Sequence, residues 1–230
     1  MSEPVNTLNQ ETSPPSSSEP RLALSEHAYR WIRDRLVMLD IRPGTPINED
    51  RLGASLGIGR TPVREALKRL EHERLVVAYP RRGTFATDVN ITDLAHISEV
   101  REQLEPMAAA RAARRATVTE RSSLGELATS LMSEQTSDMP ADALMRLDLQ
   151  VHRALYAATH NPFLEDTLVR YDNLATRIWC LFVERLSGMA GHVGEHGPLL
   201  RAVVDGDEEA AARLASEHVA RFEKEVRALL

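Results

Sequence analysis

Glu49-Asp50-Arg51-Leu52-Gly53-Ala54-Ser55-Leu56-Gly57-Ile58-Gly59-Arg60-Thr61-Pro62-Val63-Arg64-Glu65-Ala66-Leu67 decides how the N-terminal part of this chain folds. Glu49 to Leu56 reads as a short helix, and Gly57-Ile58-Gly59-Arg60 supplies the glycines that a tight turn between two helices needs. A third helix follows over Thr61–Glu73, with Thr61 as N-cap and Pro62 at the first helical position. Val63, Ala66, Leu67 and Leu70 recur at helical spacing and turn that face inward. Thr61, Glu65, Lys68 and His72 face outward, with Arg64 on the flank. Upstream, Ala28, Ile32, Leu36 and Leu39 form the apolar side of a helix over Leu24–Leu39, capped by Ser25 and stopped by Pro43-Gly44. Downstream the period changes, and Leu75–Tyr79 and Thr84–Thr87 read as short strands around Pro80-Arg81-Arg82-Gly83. Helix, helix, turn, helix and hairpin in this order make a winged helix-turn-helix, whose third helix enters the DNA major groove.

The remainder predicts helices only. Their expected spans are 92–116, 118–134, 141–159, 162–187, 195–205 and 207–229. Thr117-x-x-Glu120 is a capping-box pattern, Pro140 and Pro162 suit helix starts, and Gly188, Gly191 and Gly194 mark a loop. At 230 residues the chain is long enough for two cores, and aromatics at 4% favour helix over sheet. The expected fold class is therefore mainly α, an N-terminal winged helix-turn-helix plus a C-terminal all-helical bundle. The expected division is a disordered Ser/Pro-rich tail over 1–20, a DNA-binding domain over 21–88 and a helical domain over 89–230. The tail carries no Lys or Arg and no apolar core, so it does not read as a signal peptide.

The net charge of −6 speaks against nucleic acid until it is divided along the chain. Residues 21–88 hold 13 Lys and Arg against 9 Asp and Glu, whereas residues 89–230 hold 15 against 22. A basic segment on an acidic remainder is the asymmetry expected when one domain alone meets phosphate. Cys180 is the only cysteine, which excludes an intrachain disulfide, fits a reducing cytoplasm and leaves the thiol a packing role. No apolar run reaches a membrane span.

Arg60 and Arg64 stand at the entry of the third helix, where a guanidinium fork can bond guanine O6 and N7 or clamp a phosphate. The Thr61 hydroxyl and the helix N-terminus favour a phosphate oxygen. In the wing, Gly83 lets the backbone come close to the minor groove and Arg82 suits its narrow form. Arg69 and Arg74 read as surface charges partnered by Glu71 and Glu73. The stretch from Glu49 to Leu67, with Leu70-Glu71, Leu75-Val76 and Arg82-Gly83-Thr84-Phe85, resembles the N-terminal domain of GntR-type transcriptional regulators. The resemblance implies that Arg60, Thr61 and Arg64 touch double-stranded operator DNA and that Gly83 lies near the minor groove. Gly59 departs from it, since the family often has Ser or Thr there for a further phosphate contact.

In the second domain Asp148 and His152 lie four residues apart on one helical face, bordering the stripe of Leu144, Leu147, Val151 and Leu155. His196 shares a face with Leu199, Leu200 and Val203, and His218 lies amid Ala211, Leu214, Ala215 and Phe222. Burying these four unpaired is costly, whereas one divalent cation satisfies them together. Imidazole with carboxylate suits zinc foremost, with nickel, manganese or iron as alternatives. His192-x3-His196 offers a rival chelating pair, but the neighbouring glycines place His192 in a loop and outside the set. His27, His72, His96 and His160 lack such company. The same residues are similar to the ligand set of the FCD domain in the FadR branch of the GntR family. That resemblance implies a metal-bearing helical bundle, a small organic-acid effector and a homodimer. It further implies that Arg101, in Val100-Arg101-Glu102-Gln103-Leu104-Glu105, binds an effector carboxylate, although Arg101 is also spaced to pair with Glu105. The expected function is a cytoplasmic repressor controlled by a carboxylate effector, not an enzyme. The alternatives are a metal-dependent enzyme acting on a small carboxylate and a regulator that senses the metal alone.

Overall fold

A computed structural model describes residues 19–133, 136, 138–182 and 189–228. The N-terminal part is built from α1 (Glu19–Val37), β1 (Pro46–Ile47), α2 (Glu49–Leu56), α3 (Arg60–His72), β2 (Val76–Tyr79) and β3 (Gly83–Ala86). The inward faces of α1 and α3 meet over Ala28, Ile32, Leu36, Val63, Ala66, Leu67 and Leu70, all buried, and Leu75, Val76 and Ala86 close the core from the hairpin. Asn48 caps α2 through its side chain, and Gly57 ends it with φ 65°, a left-handed conformation in which a side chain would be strained. The hairpin pairs Val76 with Ala86 and Tyr79 with Gly83, and Gly83 takes φ 92° at its tip.

Several local expectations are corrected here. Helix α1 begins at Glu19, so Ser25 lies inside it rather than capping it, and Leu39 lies beyond its end with φ 61°. Of the expected tail, residues 1–18 lie outside the described residues, whereas Glu19 and Pro20 already belong to α1. Helix α3 starts one residue early, with Gly59 as an N-cap that makes no side-chain bond and Thr61 inside the first turn. The sheet also has a third strand, because β1 pairs antiparallel with β3 to give the order β1-β3-β2. Two residues are too short a run for an alternating pattern to reveal.

The second part comprises α4 (Asp93–Arg115), α5 (Val118–Leu131), α6 (Ala141–Ala157), α7 (Pro162–Cys180), α8 (Met189–Gly194), α9 (His196–Asp205) and α10 (Glu208–Arg227). The Thr117–Glu120 capping box forms in both directions, and Asn161 and Asp207 cap α7 and α10. Helix α10 lies along α4, α9 packs on α5, and α6 packs on α7. Their shared core runs through Ala109, Leu124, Leu144, Leu155, Leu168, Trp179, Leu200 and Phe222. Helix α8 occupies the place where the glycines suggested a loop, and residues 183–187 of the expected 162–187 span lie outside the described residues.

The two parts share more than a linker. Leu149 of α6 sits in the core of the N-terminal part, and Leu174 of α7 packs against both cores. Arg153 reaches Asp34 of α1 at 2.9 Å, and the buried Arg177 of α7 donates to the Thr87 hydroxyl and carbonyl at 2.6 Å each. Burial is the chief cause that lowers the Arg177 pKa to about 10, which still leaves it charged near neutrality.

Candidate DNA-reading surface and metal centre

Arg60, Thr61 and Arg64 are exposed on the first turns of α3, where four backbone N–H groups lack helical partners. Two acidic residues of α2 occupy the arginines. Arg60 donates to Asp50 at 2.9 Å and Arg64 to Glu49 at 2.6 Å. Both pairs are open to water, so they orient the forks at little energetic cost to their release. At the wing, Arg82 lies over the Tyr79 ring, 5.7 Å from its centroid, beside Gly83. Arg69 finds Glu26 at 2.7 Å and stacks on Tyr29, and Glu73 stands 3.6 Å away, so its expected surface role stands with a different main partner.

In the helical part, Asp148 and His152 of α6, His196 of α9 and His218 of α10 converge, and their ligand atoms all lie within 4.8 Å of one another. None is more than 3% exposed. His152 Nε2 and His196 Nε2 are 3.2 Å apart. Two nitrogens bound to one ion at about 2.1 Å stand about 3.0 to 3.4 Å apart in octahedral or tetrahedral geometry. The outer nitrogens are held as metal-binding imidazoles require. His196 Nδ1 lies 3.2 Å from the Val193 carbonyl, which only accepts, so the proton sits there and Nε2 keeps a lone pair. His152 Nδ1 lies 3.0 Å from the Tyr156 hydroxyl, and His218 Nδ1 lies 3.2 Å from Glu195, itself paired with Arg221 at 2.7 Å.

Burial sets the charges. It lowers the pKa of His152 and His218 to about 3 and pushes His192 and His196 well below the ordinary value. The imidazoles are therefore neutral, the form that ligates. Burial also drives the Asp148 carboxyl well above the usual range, with the Asp172 charge adding to it. Asp148 Oδ1 is buried with no hydrogen-bond partner. An acceptor orphaned among neutral imidazoles is what a cation would relieve, so the donor set fits a divalent ion.

Arg101 lies in the same interior, 3% exposed, with Nε on Glu105 at 2.5 Å and Nη2 3.4 Å from Asp172. Burial opposes its charge, but Glu105, Tyr156 and Asp172 outweigh that and raise its pKa. Thus the expected i,i+4 pairing with Glu105 is present. His192, set aside as a loop residue, is instead buried on α8 with its ring 4.2 Å from that of His218. The His-x3-His spacing was the signal for it, and helical glycines at Gly191 and Gly194 hid it. Cys180 is half-buried, and burial pushes its thiol up to about 12, consistent with packing rather than reactivity.

A winged helix docked on a helical bundle that encloses a His/Asp cluster defines a class of two-domain, DNA-binding regulatory proteins. Residues 24–86 match the bacterial regulatory proteins of the gntR family, and residues 96–221 match the FCD domain. The chain belongs to the GntR family, in the group that carries a C-terminal FCD domain, and is a DNA-binding transcriptional regulator. It is 24% identical to the HTH-type transcriptional repressor RspR of Escherichia coli K12, over 90% of this chain and 91% of that protein. It is 29% identical to the Nta operon transcriptional regulator of Aminobacter aminovorans, over 80% of this chain and 85% of that protein. Among solved structures, E. coli McbR/YncC superposes with TM-score 0.76 at 21% identity, covering 90% of this chain and 98% of that one, a likeness of fold. These relatives are regulators, which removes the metalloenzyme alternative. No helix among the described residues is long and apolar enough to cross a membrane.

Proposed function

We propose that the chain is a cytoplasmic repressor whose operator affinity is set by a small carboxylate bound at a divalent metal in the helical domain. Residues 21–88 read DNA as one half of a two-fold dimer, with Arg60, Thr61 and Arg64 in the major groove and Arg82 and Gly83 at the minor groove. Asp148, His152, His196 and His218 hold the ion, zinc first by donor type, with nickel, manganese and iron as alternatives. The bound ion would supply a Lewis-acidic site for a carboxylate oxygen. Arg101 offers five N–H donors, more than its two carboxylate contacts use, so one edge of the guanidinium can meet the effector. Repression rests on the likeness to RspR.

The observation that carries this reading is the position of α6. One face of it bears Asp148 and His152, while Leu149 enters the core of the winged part and Arg153 holds α1. Helix α7 repeats the arrangement, with Asp172 facing Arg101 and Arg177 holding Thr87 at the end of β3. A ligand that favours one setting of these helices therefore changes the setting of α1 and the wing, and one that binds both settings equally changes nothing. The test is metal analysis of the wild type and of His152→Ala, His196→Ala and His218→Ala, followed by calorimetric titration with small carboxylates. Full metal content in the variants, or equal effector affinity of metal-free and loaded protein, refutes the site. Operator binding that follows metal alone, with no carboxylate response, favours the pure metal sensor.

A further inference from the structure

We infer that His192 is a fifth protein ligand of the metal, giving a donor set of four imidazoles and one carboxylate; this rests on the metal reading above. His192 Nε2 stands 3.7 Å from Asp148 Oδ1, which His196 approaches through Nδ1 at 3.7 Å, while His152 Nε2 stands 3.8 Å from the other carboxylate oxygen, Oδ2. These separations are too long for hydrogen bonds, so the carboxylate is ringed by three imidazoles and bonded to none. On the other side, His192, Glu195 and His218 offer ligand atoms within 4.8 Å of one another, so His218 is common to this group and to the four-residue cluster, and the His192 ring is held edge-on against Trp179 with centroids 4.0 Å apart. The residue is 3% exposed, and its Nδ1 has no hydrogen-bond partner. Nε2, the other ring nitrogen, faces an Asp148 oxygen that is buried without a hydrogen-bond partner, and that oxygen costs free energy unless something between the two bonds both. A cation already called for by the other four residues does so.

Five protein ligands leave one position on an octahedral ion, where four leave two. A carboxylate effector would then bind through a single oxygen, with its remaining selectivity supplied by the protein wall. Four nitrogens also tilt the site toward nickel, zinc or copper and away from manganese.

The test uses cobalt(II) as a spectroscopic probe in the full-length wild type and in His192→Phe, which keeps a ring against Trp179 and removes both nitrogens. His192→Ala serves as a second variant, and thermal melts of the metal-free proteins check folding. One cobalt per chain is expected in each. In the variants water can take the vacated position, so the visible d–d bands should shift to longer wavelength as an imidazole nitrogen gives way to oxygen, or intensify if the position stays open, with cobalt affinity lower by about tenfold or more. An unchanged spectrum overturns the inference, because a residue acting only through Asp148 or His218 lowers affinity without altering the donor set. Two cobalt ions per chain, the second lost in Glu195→Gln, overturns it in favour of a separate His192–Glu195–His218 site. Absence of cobalt from the wild type overturns the metal reading itself, and is thereby distinguished from failure of the fifth ligand alone.

Discussion

Glu49 and Asp50 are expected to compete with DNA for the two reading arginines. Arg64 donates to Glu49 at 2.6 Å with its side chain 60% exposed, and DNA must break this pair before the fork can bond a base. An exposed ion pair contributes about 0 to 1 kcal/mol, whereas a bidentate base contact contributes about 1 to 3 kcal/mol of discrimination. Glu49→Gln should therefore tighten operator binding by at most about 1 kcal/mol, roughly fivefold, and Arg64→Ala should weaken it by about 1 to 3 kcal/mol. The ion-pair argument further requires that the two changes be coupled. In an Arg64→Ala background, Glu49→Gln has no pair left to break and should gain little. Fluorescence anisotropy on an operator duplex at fixed, moderate salt measures all four proteins, with thermal melts to check α2, whose first turn Glu49 also favours through the helix dipole. An equal gain from Glu49→Gln in both backgrounds would mean that only removal of a negative charge near phosphate matters. That result refutes the competition.

Arg82→Ala should lose less affinity than Arg64→Ala, and chiefly at low salt, in the same anisotropy assay. For pH, His218 has a folded pKa of about 3 against an ordinary value of 6.5, so only the unfolded chain takes up its proton between these values and stability falls as pH drops through that window. Its share between pH 7 and pH 5 is about 2 kcal/mol, so metal-free His218→Leu should lose about that much less than the wild type over the same step in urea unfolding. Equal losses would show that His218 is not neutral and buried. Leu149→Ala, which empties a 3% exposed site in the winged core from the side of α6, should cost about 2 to 5 kcal/mol of stability and weaken the effect of carboxylate on operator affinity. A variant that regulates as the wild type does would remove α6 as the connection. A footprint spanning two half-sites about one helical turn apart is expected of the dimer, and protection of a single half-site argues against it.

Periodicity alone made the helices of this chain legible, since the burial of Val63, Ala66, Leu67 and Leu70 or of Leu144, Val151 and Leu155 is a property of spacing along one helix. The capping box at Thr117 is likewise local chemistry. The pairing of Asp148 with His152 could be read for the same reason, and the charge asymmetry followed from counting. Errors arose where local signals competed. Ser25 is a good cap residue in a helix that had already begun, and Gly191 suggested a loop within α8. What no single helix contains was left to the tertiary structure: the 3.2 Å approach of His152 to His196, the second partner of Arg101 on Asp172, the seat of Leu149 in the other core, and the strand at Pro46–Ile47. These contacts join residues at least 37 positions apart, and chain spacing carries no information about which distant faces pack together. His192 shows the boundary most clearly, because its spacing from His196 was visible in the chain, and only the packing of α8 against Trp179 and His218 turned its ring toward Asp148.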